Sequence, residues 1–592
     1  MVAAGQPLRG TPAYRSLWPS FWNSKGNRNM RYQVLATDYD GTLADQGRVA
    51  GPVIEKIRQL QATGRRAVLV TGREMRDLVI VFPSYTIFDY IIAENGALIH
   101  ETATGKEQLL GPPPDPFFVE ALEKQGVHPL SAGKVIIATW VPYEQVVLDT
   151  IRNSGTERQV IFNKGAVMIL PPGINKATGL RALLHSLHLS LHNTVAIGDA
   201  ENDSAMLQAA ECAVAVSNAL PALKRIADWI TVATHGNGVM ELIDRLIGND
   251  LSQLEAGLER HYLQLGEEED GRPFGICPYR NGILLSGVSG SGKTTFTISI
   301  VESLIKQHYQ FCLIDPEGDY LELPGAVVLG NELSLPSIEE IKDFLRDPDQ
   351  NLVICTLSVP LPDRPSFFAR LAPALLDLRR QYAHPHWLLL DEAHHLVPST
   401  GLPADWLPGD FNNFILITTS PHALGQAILS KVGMLITIGK NPSYPFEQFC
   451  HILGLAIPEG IPALAEDELC IWERDGPRPP YKVRFHLPAQ LQQRHKKKYA
   501  QGEMGDNSFV FTGPEEKLHL VANNLMLFGH IAEGIDTDTW LFHLRRRDYA
   551  NWFRNCVHDV ELARIAEAAE EMPDPEASRK YILDAISQKY TV

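Results

Sequence analysis

The folds open to this chain are most restricted by two separate motifs, each directly after a short apolar run: Asp38-Tyr39-Asp40-Gly41-Thr42-Leu43 and Gly287-Val288-Ser289-Gly290-Ser291-Gly292-Lys293-Thr294. The first motif follows the run Val34–Thr37 and the second follows Ile283–Leu285. Around each motif, short apolar runs alternate with amphipathic stretches, a pattern typical of parallel sheets joined by helical crossovers. We therefore predict an α/β chain with two doubly wound parallel-sheet domains, in which each motif lies at the carboxyl edge of its sheet.

The length of 592 residues exceeds what one hydrophobic core accommodates, so several domains are expected. The block at about 105–172 differs in its sequence pattern from the stretches on either side, with Pro112–Pro114 and short apolar runs such as Val135–Thr139. Because candidate catalytic residues lie on both sides of it, it is predicted to be an inserted α/β cap. Met30 directly precedes the first apolar run and is the expected natural start. The predicted segments are a disordered extension at 1–30, the first α/β domain at 31–248, a helical linker at 249–270, the second α/β domain at 271–487, a linker at 488–507 and a mainly helical domain at 508–592.

Composition indicates the cellular compartment of the protein and limits its possible partners. The seven cysteines are dispersed without a Cys-x-x-Cys pair, which favours a reduced protein without a zinc site. No apolar run approaches the roughly 20 residues that a membrane span requires, and no export signal is evident, so a cytoplasmic protein is expected. The formal net charge of −17 weighs against nucleic acid as a partner, although a basic pore inside an oligomer stays open.

The first motif predicts nucleophilic attack on phosphorus. It reads Asp38-Tyr39-Asp40-Gly41-Thr42-Leu43. Gly41 lets the chain turn sharply after a strand, which places both carboxylates at the carboxyl edge of the sheet. Asp38 is predicted to attack phosphorus and form an aspartyl-phosphate, while Asp40 protonates the leaving oxygen and later activates water.

Residues far along the chain complete this predicted site. Carboxylates supply the oxygen ligands that Mg²⁺ prefers. Thr71 is placed to hydrogen-bond a phosphoryl oxygen, and Lys176, at the start of a predicted helix, to neutralise developing charge. For Arg73, a contact with substrate and a surface role are both open. The candidate metal ligands are Asp38, Asp40, Asp199 and Asp203.

These residues resemble the motifs of the haloacid dehalogenase superfamily, in particular the branch with a large α/β cap that includes sucrose-phosphate phosphatase and Cof-type sugar phosphatases. The resemblance implies a Rossmann-like core, a Mg²⁺-dependent phosphatase activity and a small phosphorylated substrate such as a sugar phosphate, chosen by the cap. The matching stretches are Asp38 to Leu43, Thr71-Gly72-Arg73, Glu94-Asn95-Gly96-Ala97, Lys176, and Gly198-Asp199 with Asn202-Asp203.

The second motif predicts a nucleoside-triphosphate site between a strand and a helix. Backbone N–H groups of residues 288–293 would cradle the phosphates of ATP at the helix N-terminus. Lys293 is predicted to reach the β- and γ-phosphates, and Thr294 to bind Mg²⁺. The candidate ATP-binding residues are Gly287, Ser289, Gly290, Ser291, Gly292, Lys293, Thr294, Thr295 and Asp391.

Two acidic residues after the apolar run Trp387–Leu390 complete this second site. Asp391 is predicted to hold Mg²⁺ through water, and Glu392 to polarise the attacking water. His394 and His395 follow, but adjacent helical residues point about 100° apart, so a shared zinc site is not expected. Structural or coupling roles are expected for both histidines.

Residues 271–487 resemble the HerA/FtsK-like ATPases, RecA-like P-loop proteins related to ring-shaped DNA translocases. The resemblance rests on Asp391-Glu392-Ala393-His394 and on Ile314-Asp315-Pro316-Glu317-Gly318-Asp319-Tyr320. It implies ATP binding, ATP hydrolysis and a homo-oligomeric ring, with a hexamer as the expected form. Thr419 stands where the family carries a Gln sensor, so translocation stays open, and Arg379 and Arg380 are guesses for the arginine finger.

Residues 508–592 combine aromatic residues at helical spacing with Arg545-Arg546-Arg547. A small helical core with solvated arginines is favoured over an interaction module. The stretch Phe511-Thr512-Gly513-Pro514-Glu515 resembles the start of a small uncharacterised domain found in such fusions.

Three functional hypotheses follow. The first is a bifunctional protein in which an ATP-binding and hydrolysing module governs a sugar-phosphate-type phosphatase. The alternative is a nucleic-acid processing protein with ATP-driven translocase and end-phosphatase activities. In the third, the P-loop module is a nucleotide-gated scaffold without turnover. The acidic charge and the altered sensor favour the first hypothesis.

Overall fold

The structure is a computed structural model that describes residues 30–279, 282–400, 407, 411–465, 467–488, 508–557 and 559–590. The extension expected at 1–30, apart from Met30, and the linker expected at 488–507, apart from Pro488, lie outside the described residues. Within the described ranges, no helix is long and apolar enough to cross a membrane.

The first α/β unit is built on a large, mostly parallel sheet. Its strands are β1 (Val34–Asp38), β2 (Arg66–Val70), β3 (Tyr90–Ala93), β4 (Leu98–Glu101), β5 (Glu107–Leu109), β6 (Ser131–Ala132), β7 (Ile137–Trp140), β8 (Gln159–Asn163), β9 (Ala166–Leu170), β10 (Thr194–Gly198), β11 (Cys212–Ala215) and β12 (Trp229–Ile230). The large sheet has the order β12-β11-β10-β1-β2-β3-β4-β5 and is parallel from β12 to β3. Strand β1 lies near its middle with every residue buried, as expected for a strand covered on both faces.

Helices connect these strands, which confirms the predicted Rossmann-like α/β core. They are α1 (Gly51–Gln61), α2 (Met75–Val81), α3 (Pro116–Lys124), α4 (Glu144–Ser154), α5 (Lys176–Ser186), α6 (Ser204–Ala209), α7 (Pro221–Ile226) and α8 (His235–Asn249). Helix α5 begins at a capping box, in which the Asn175 side chain accepts hydrogen bonds from the N–H groups of Ala177 and Thr178. The capping box fixes Lys176 as the first residue of the helix.

The inserted cap has a sheet of its own, with the strand order β6-β7-β9-β8. Helices α3 and α4 contribute Phe118, Leu122 and Val147 to a separate small core that also contains Val167 and Ile169 of β9. The expected range of about 105–172 needs one correction. It includes β5, but β5 pairs with β4 in the large sheet, so the cap begins after β5.

The second α/β unit contains a larger sheet. Its strands are β13 (Leu263–Glu268), β14 (Pro273–Ile276), β15 (Gly282–Ser286), β16 (Phe311–Asp315), β17 (Val327–Leu329), β18 (Leu352–Cys355), β19 (Trp387–Leu390), β20 (Phe414–Thr418), β21 (Met434–Ile438), β22 (Glu468–Glu473) and β23 (Tyr481–Phe485). They form one sheet in the order β14-β13-β23-β22-β21-β15-β20-β19-β16-β18-β17. The strands from β21 to β17 are parallel, and those from β14 to β22 are antiparallel.

Each of the six apolar runs of this domain forms a strand of this sheet, namely Ile283–Leu285, Phe311–Ile314, Leu352–Cys355, Trp387–Leu390, Phe414–Ile417 and Met434–Ile438. The antiparallel extension was not foreseen, because its strands mix buried residues with half-buried or exposed ones. One correction concerns the segment 249–270, which was expected to be a helical linker. It contains two short 3-10 turns, Glu255–Gly257 and Glu259–His261, and then β13, which is part of the sheet.

Helices cover both faces of the second sheet, and a separate hydrophobic core lies on each face. The helices are α9 (Lys293–Lys306), α10 (Ile338–Leu345), α11 (Arg364–Tyr382), α12 (Gln426–Leu429) and α13 (Ser443–Leu453). The described part of this unit is therefore a doubly wound sheet with an antiparallel edge.

The last unit is mainly helical. A hairpin of β24 (Phe509–Phe511) and β25 (Leu520–Ala522) packs with five helices around one aromatic-rich core. The helices are α14 (Leu525–Gly534), α15 (Thr537–Arg545), α16 (Asp548–Asn555), α17 (Val560–Glu570) and α18 (Pro575–Tyr590). Buried Trp540 stacks on Tyr549 and donates from Nε1 to Ser578 Oγ, which agrees with a structural core.

The two large sheets meet at the amino ends of their strands. Asn193, just before β10, accepts a hydrogen bond through Oδ1 from His386 Nε2, just before β19, at 3.3 Å. Tyr309, before β16, donates its hydroxyl to Glu211, before β11, at 2.8 Å. Arg31 also pairs with Glu211 in this buried seam. Because both predicted sites lie at carboxyl edges, they face away from each other.

Candidate active sites

The first candidate site lies where β1 ends at Asp38. Asp38 is 5% exposed, and its Oδ1 accepts a hydrogen bond from Lys176 Nζ at 2.5 Å. Lys176 is fully buried and also donates to Asp203 Oδ1 at 2.6 Å. A single ammonium group therefore bridges two of the carboxylates that the sequence predicted to act together.

The negative charges of this cluster outnumber its buried cation. Burial and the charge of Asp203 raise the pKa of Asp38 to about 8, although Lys176 opposes this shift. Burial also raises the pKa of Asp199. Burial opposes the charged form of Lys176, but the two carboxylates outweigh it and raise the pKa of the ammonium group. A further cation would relieve the excess negative charge.

The geometry of the cluster fits Mg²⁺. Carboxylate oxygens of Asp38, Asp199 and Asp203 lie within 4.8 Å of one another. Thr42 orients Asp199 by donating from Oγ1 to Oδ1 at 3.0 Å. Asp203 Oδ2 accepts hydrogen bonds from the N–H groups of Asp199 and Ala200 at 2.9 and 3.0 Å. Hard oxygen ligands that are buried and held in place are the donor set that Mg²⁺ prefers.

The Asp40 carboxylate does not join this cluster, although it was expected as a metal ligand. Arg73 donates from Nε to Asp40 Oδ2 at 2.6 Å and from Nη2 to Oδ1 at 2.8 Å. Arg73, for which a substrate contact and a surface role were both open, therefore contacts the predicted acid–base residue. Thr71 is buried at the same edge, directly after β2, and its Oγ1 accepts from the Arg73 N–H at 3.1 Å.

Two contacts between cap and core were missed by the sequence reasoning. Lys164, in the turn between β8 and β9, donates from Nζ to Asp199 Oδ2 at 2.7 Å and to the Asp40 carbonyl oxygen at 3.0 Å. Glu94 is 2% exposed and accepts hydrogen bonds from the N–H groups of residues 134–136. Glu94 belongs to a stretch already singled out, whereas no motif marks Lys164.

The second candidate site lies where the glycine loop after β15 leads into α9. Gly290 and Gly292 have φ angles of 73° and 103°, which glycine adopts without steric cost. The N-terminus of α9 has no side-chain cap, so its N–H groups are available to an anion. Lys293 Nζ donates to the Val288 carbonyl oxygen of the same loop at 3.2 Å. The predicted ATP-binding residues of the loop, 287–295, thus surround one helix N-terminus.

Carboxylates crowd this second site as well. Burial lowers the pKa of Lys293, and four nearby carboxylates oppose that shift, namely Glu392, Asp391, Glu317 and Asp319. Burial and the neighbouring Glu392 raise the pKa of Asp391 to about 8. Asp319 Oδ2 accepts a hydrogen bond from Thr294 Oγ1 at 3.3 Å. Asp319 belongs to the stretch from Ile314 to Tyr320 that resembles the HerA/FtsK-like ATPases. It was not itself predicted to be a site residue.

A chain of polar contacts connects Glu392 with β20. Glu392 has a φ angle of 39°, which is uncommon for a residue with a side chain and often marks functional sites. Its Oε2 lies 3.3 Å from His394 Nδ1, which in turn lies 3.0 Å from Thr418 Oγ1. Thr419, the expected sensor, contacts Ser420 instead. Burial lowers the pKa of His394 to about 4, so this link is uncharged near neutral pH.

The guess of Arg379 as an arginine finger is not supported. The Arg379 guanidinium donates to backbone carbonyl oxygens of its own unit, so it does not extend toward a neighbouring subunit. Arg380, the other guess, pairs with Asp377. The acceptors of Arg379 are the carbonyl oxygens of Pro385, His386, Asn412 and Asn413.

Comparison with known proteins identifies the first unit. Residues 35–112 and 130–243 match the family of haloacid dehalogenase-like hydrolases. The chain is 31% identical over 218 residues to a phosphoglycolate phosphatase of Haloarcula marismortui, with 35% of this chain and 95% of the relative covered. It is 29% identical over 227 residues to a phosphoglycolate phosphatase of Methanothermobacter thermautotrophicus, with 36% and 99% covered.

The chain belongs to the haloacid dehalogenase-like hydrolase family, and the matching residues contain the Asp38 site. A solved haloacid dehalogenase-like hydrolase from Bacteroides thetaiotaomicron is 22% identical, with a TM-score of 0.33, and the match covers 36% of this chain and 99% of that one.

Proposed function

We propose that residues 31–248 form a Mg²⁺-dependent phosphatase that acts on a small phosphomonoester. The observation that carries this proposal is the buried contact of Asp38 with Lys176, beside Asp199 and Asp203. The relatives named phosphoglycolate phosphatase support a small substrate, and sugar phosphates are the other class to be tested.

Asp38 is the nucleophile in this proposal. Its carboxylate attacks phosphorus, the bond from phosphorus to the leaving oxygen breaks, and an aspartyl-phosphate forms. Lys176 holds the attacking carboxylate and offsets the negative charge of the phosphoryl group, while Thr71 donates its hydroxyl to a phosphoryl oxygen. Water then cleaves the aspartyl-phosphate, which releases inorganic phosphate and restores Asp38.

Asp40 is the proton donor to the leaving oxygen and later the base for water. Arg73 donates to both carboxylate oxygens of Asp40 and so holds this side chain at the edge of the site. Arg73 is therefore the residue that positions the acid.

Mg²⁺, held by Asp38, Asp199 and Asp203, would supply charge neutralisation between the attacking carboxylate and the phosphate dianion. The protein residues fix the position of the charges before substrate arrives. Thr42 and the backbone N–H groups around Asp199 keep the ligands from turning away.

The experiment that tests this proposal is phosphate release from a panel of phosphomonoesters with and without Mg²⁺. The panel contains sugar phosphates, 2-phosphoglycolate and end-phosphorylated oligonucleotides, and the control is Asp38→Asn. Release from small substrates that requires both Mg²⁺ and Asp38 supports the proposal. Release from oligonucleotides alone, or release that Asp38→Asn retains, would reject it.

For residues 271–487 we propose a RecA-like P-loop domain of the HerA/FtsK type that binds and hydrolyses ATP with Mg²⁺. Supporting observations are the uncapped N-terminus of α9 and the contact of Thr294 with Asp319. In this proposal Asp391 acts on the metal ion and Glu392 on the attacking water. Formation of ADP that is lost in Lys293→Ala would support it, and ATP that stays intact would reject hydrolysis.

We further propose that the P-loop module regulates the phosphatase rather than exchanging phosphate with it. The two sites face away from each other across the seam of Glu211, Tyr309 and His386, so a product of one site cannot pass directly to the other. A homo-oligomeric ring, with a hexamer as the expected form, and a separate helical domain at 508–592 complete the proposed architecture. Mass measurement with and without ATP tests the ring.

A further inference from the structure

Lys164 carries a positive charge from the cap into the phosphatase site. It lies in the turn between β8 and β9, where its φ angle is 49°, and its side chain is 45% exposed. The two-residue hairpin turn accounts for this angle, since Gly165 beside it has a φ of 91° and type I′ turns place both central residues at positive φ. The turn directs the ammonium group across the gap between cap and core.

The ammonium group of Lys164 lies against oxygens of the candidate metal site. Its Nζ bonds Asp199 Oδ2 at 2.7 Å, and Asp199 is one of the three clustered carboxylates. Gly41 has no side chain beside this contact, and a Cβ there would collide with both Lys164 Nζ and Asp199 Oδ2. The space is thus fitted to the lysine head group.

A divalent cation on Asp199 and the Lys164 ammonium repel each other at such short range. Binding of Mg²⁺ therefore requires Lys164 to leave Asp199. Since the rest of its side chain is anchored in the cap turn, the displaced ammonium stays at the entrance between cap and core. It then keeps the Asp40 carbonyl oxygen within reach but has lost its anionic partner.

We propose that Lys164 selects substrates that carry a carboxylate in addition to the phosphate. A single ammonium matches the single charge of a carboxylate, and the other described cations that contact these aspartates are already committed. Lys176 is fully buried between Asp38 and Asp203, and Arg73 is held by Asp40. This inference rests on the phosphatase function proposed above.

The first test measures metal binding without turnover. Titration calorimetry of Mg²⁺ into Lys164→Gln should give a Kd about threefold or more below that of the wild type, because the competing ammonium is gone. The matched control is Lys124→Gln, which removes an exposed charge from helix α3 of the cap. An unchanged Kd in Lys164→Gln overturns the displacement step.

The second test compares 2-phosphoglycolate with 2-hydroxyethyl phosphate, which carries a hydroxyl in place of the carboxylate. In Lys164→Gln the KM for 2-phosphoglycolate should rise about tenfold, as expected for loss of one charge-assisted hydrogen bond, while that for 2-hydroxyethyl phosphate changes little. Lys164→Arg should restore part of the difference, and Lys124→Gln should match the wild type. Equal effects on both substrates overturn the proposal.

The two tests also separate this inference from the proposed function. Wild-type protein that hydrolyses no small phosphomonoester of the panel overturns both ideas, and wild-type protein that hydrolyses sugar phosphates but not 2-phosphoglycolate overturns only the selection of a carboxylate. Wild-type protein that hydrolyses both, with the same preference in Lys164→Gln, overturns only the role of Lys164.

Discussion

The two candidate sites of this chain use opposite ways of holding their lysine. In the first site, Lys176 is fully buried and bonded to two carboxylates, so the positive charge is part of the folded structure. In the second, Lys293 donates to a carbonyl oxygen of its own loop and stands near carboxylates that it does not bond in the described contacts. The first site is organised before substrate arrives, while the second has to be completed by an anionic ligand.

The two arrangements predict different roles for the two lysines. A buried lysine between carboxylates contributes to folding, because removing it leaves buried charges without a partner. A lysine at an open helix N-terminus contributes to binding, because its partner is the phosphate that arrives later. Replacing Lys176 should therefore mainly lower the stability of the fold, and replacing Lys293 should mainly weaken ligand binding.

The largest expected effect is on catalysis at the first site. Asp38→Asn should lower Mg²⁺-dependent phosphate release by on the order of 10³-fold or more, because the amide cannot act as the nucleophile. Binding of an ATP analogue to the second site should stay unchanged. Steady-state phosphate release and nucleotide titration measure the two quantities. Loss of nucleotide binding in this variant would break the comparison, since the sites would then not be separate.

The next effect is on stability. Lys176→Met should lower the free energy of unfolding of the first unit by about 3–5 kcal/mol, since Asp38 and Asp203 remain buried without their cation. Lys293→Met is the matched control and should change stability by about 1 kcal/mol or less, as expected for a residue outside a buried ion pair. Urea unfolding followed by tryptophan fluorescence provides the values. Equal losses in the two variants would show that the lysines are not held differently.

A smaller effect is the pH dependence of the metal-free protein. The folded state raises the pKa of Asp38 from its usual 3.8 to about 8, so between these values the folded state binds more protons than the unfolded state. Stability in EDTA should therefore fall as pH rises from about 4 to about 8. Mg²⁺ should stabilise the protein more at pH 8 than at pH 5. Thermal unfolding across this range, with Asp38→Asn as control, gives the answer, and a flat profile in the wild type would contradict it.

The smallest expected effect concerns the acid–base residue. Arg73→Gln removes the group that holds the Asp40 carboxylate in place, so kcat in steady-state phosphate release should fall by about tenfold at neutral pH. Arg73→Lys keeps the charge but loses the bidentate geometry, so its kcat should lie between those of the wild type and Arg73→Gln. An unchanged kcat in Arg73→Gln would mean that the pair with Asp40 has no part in turnover.

Much of the fold followed from apolar runs. The runs predicted the central strands of both sheets and placed Asp38 and Lys293 after β1 and β15. The antiparallel strands β13, β14, β22 and β23 were missed, because half-exposed strands with mixed polarity resemble linkers. The same ambiguity led to the helical linker expected at 249–270.

The residues of the candidate sites could be predicted only where a short sequence motif marks them. The cluster of Asp38, Asp199 and Asp203 was foreseen because each follows a buried strand and such strands meet at one edge. The contact of Lys164 with Asp199 depends on how a cap turn docks onto the core, which no local pattern encodes. The bidentate pair of Arg73 with Asp40 depends on side-chain orientation, which the sequence leaves open.

The most direct test of this account measures both activities in two single variants, Asp38→Asn and Lys293→Ala. Phosphate release from 2-phosphoglycolate without ATP reports the first site, and ADP formation without phosphomonoester reports the second. The account predicts that Asp38→Asn loses only phosphate release and that Lys293→Ala loses only ADP formation. Loss of both activities in either variant, or retention of phosphate release in Asp38→Asn, would contradict two separate sites with Asp38 as the nucleophile of the first.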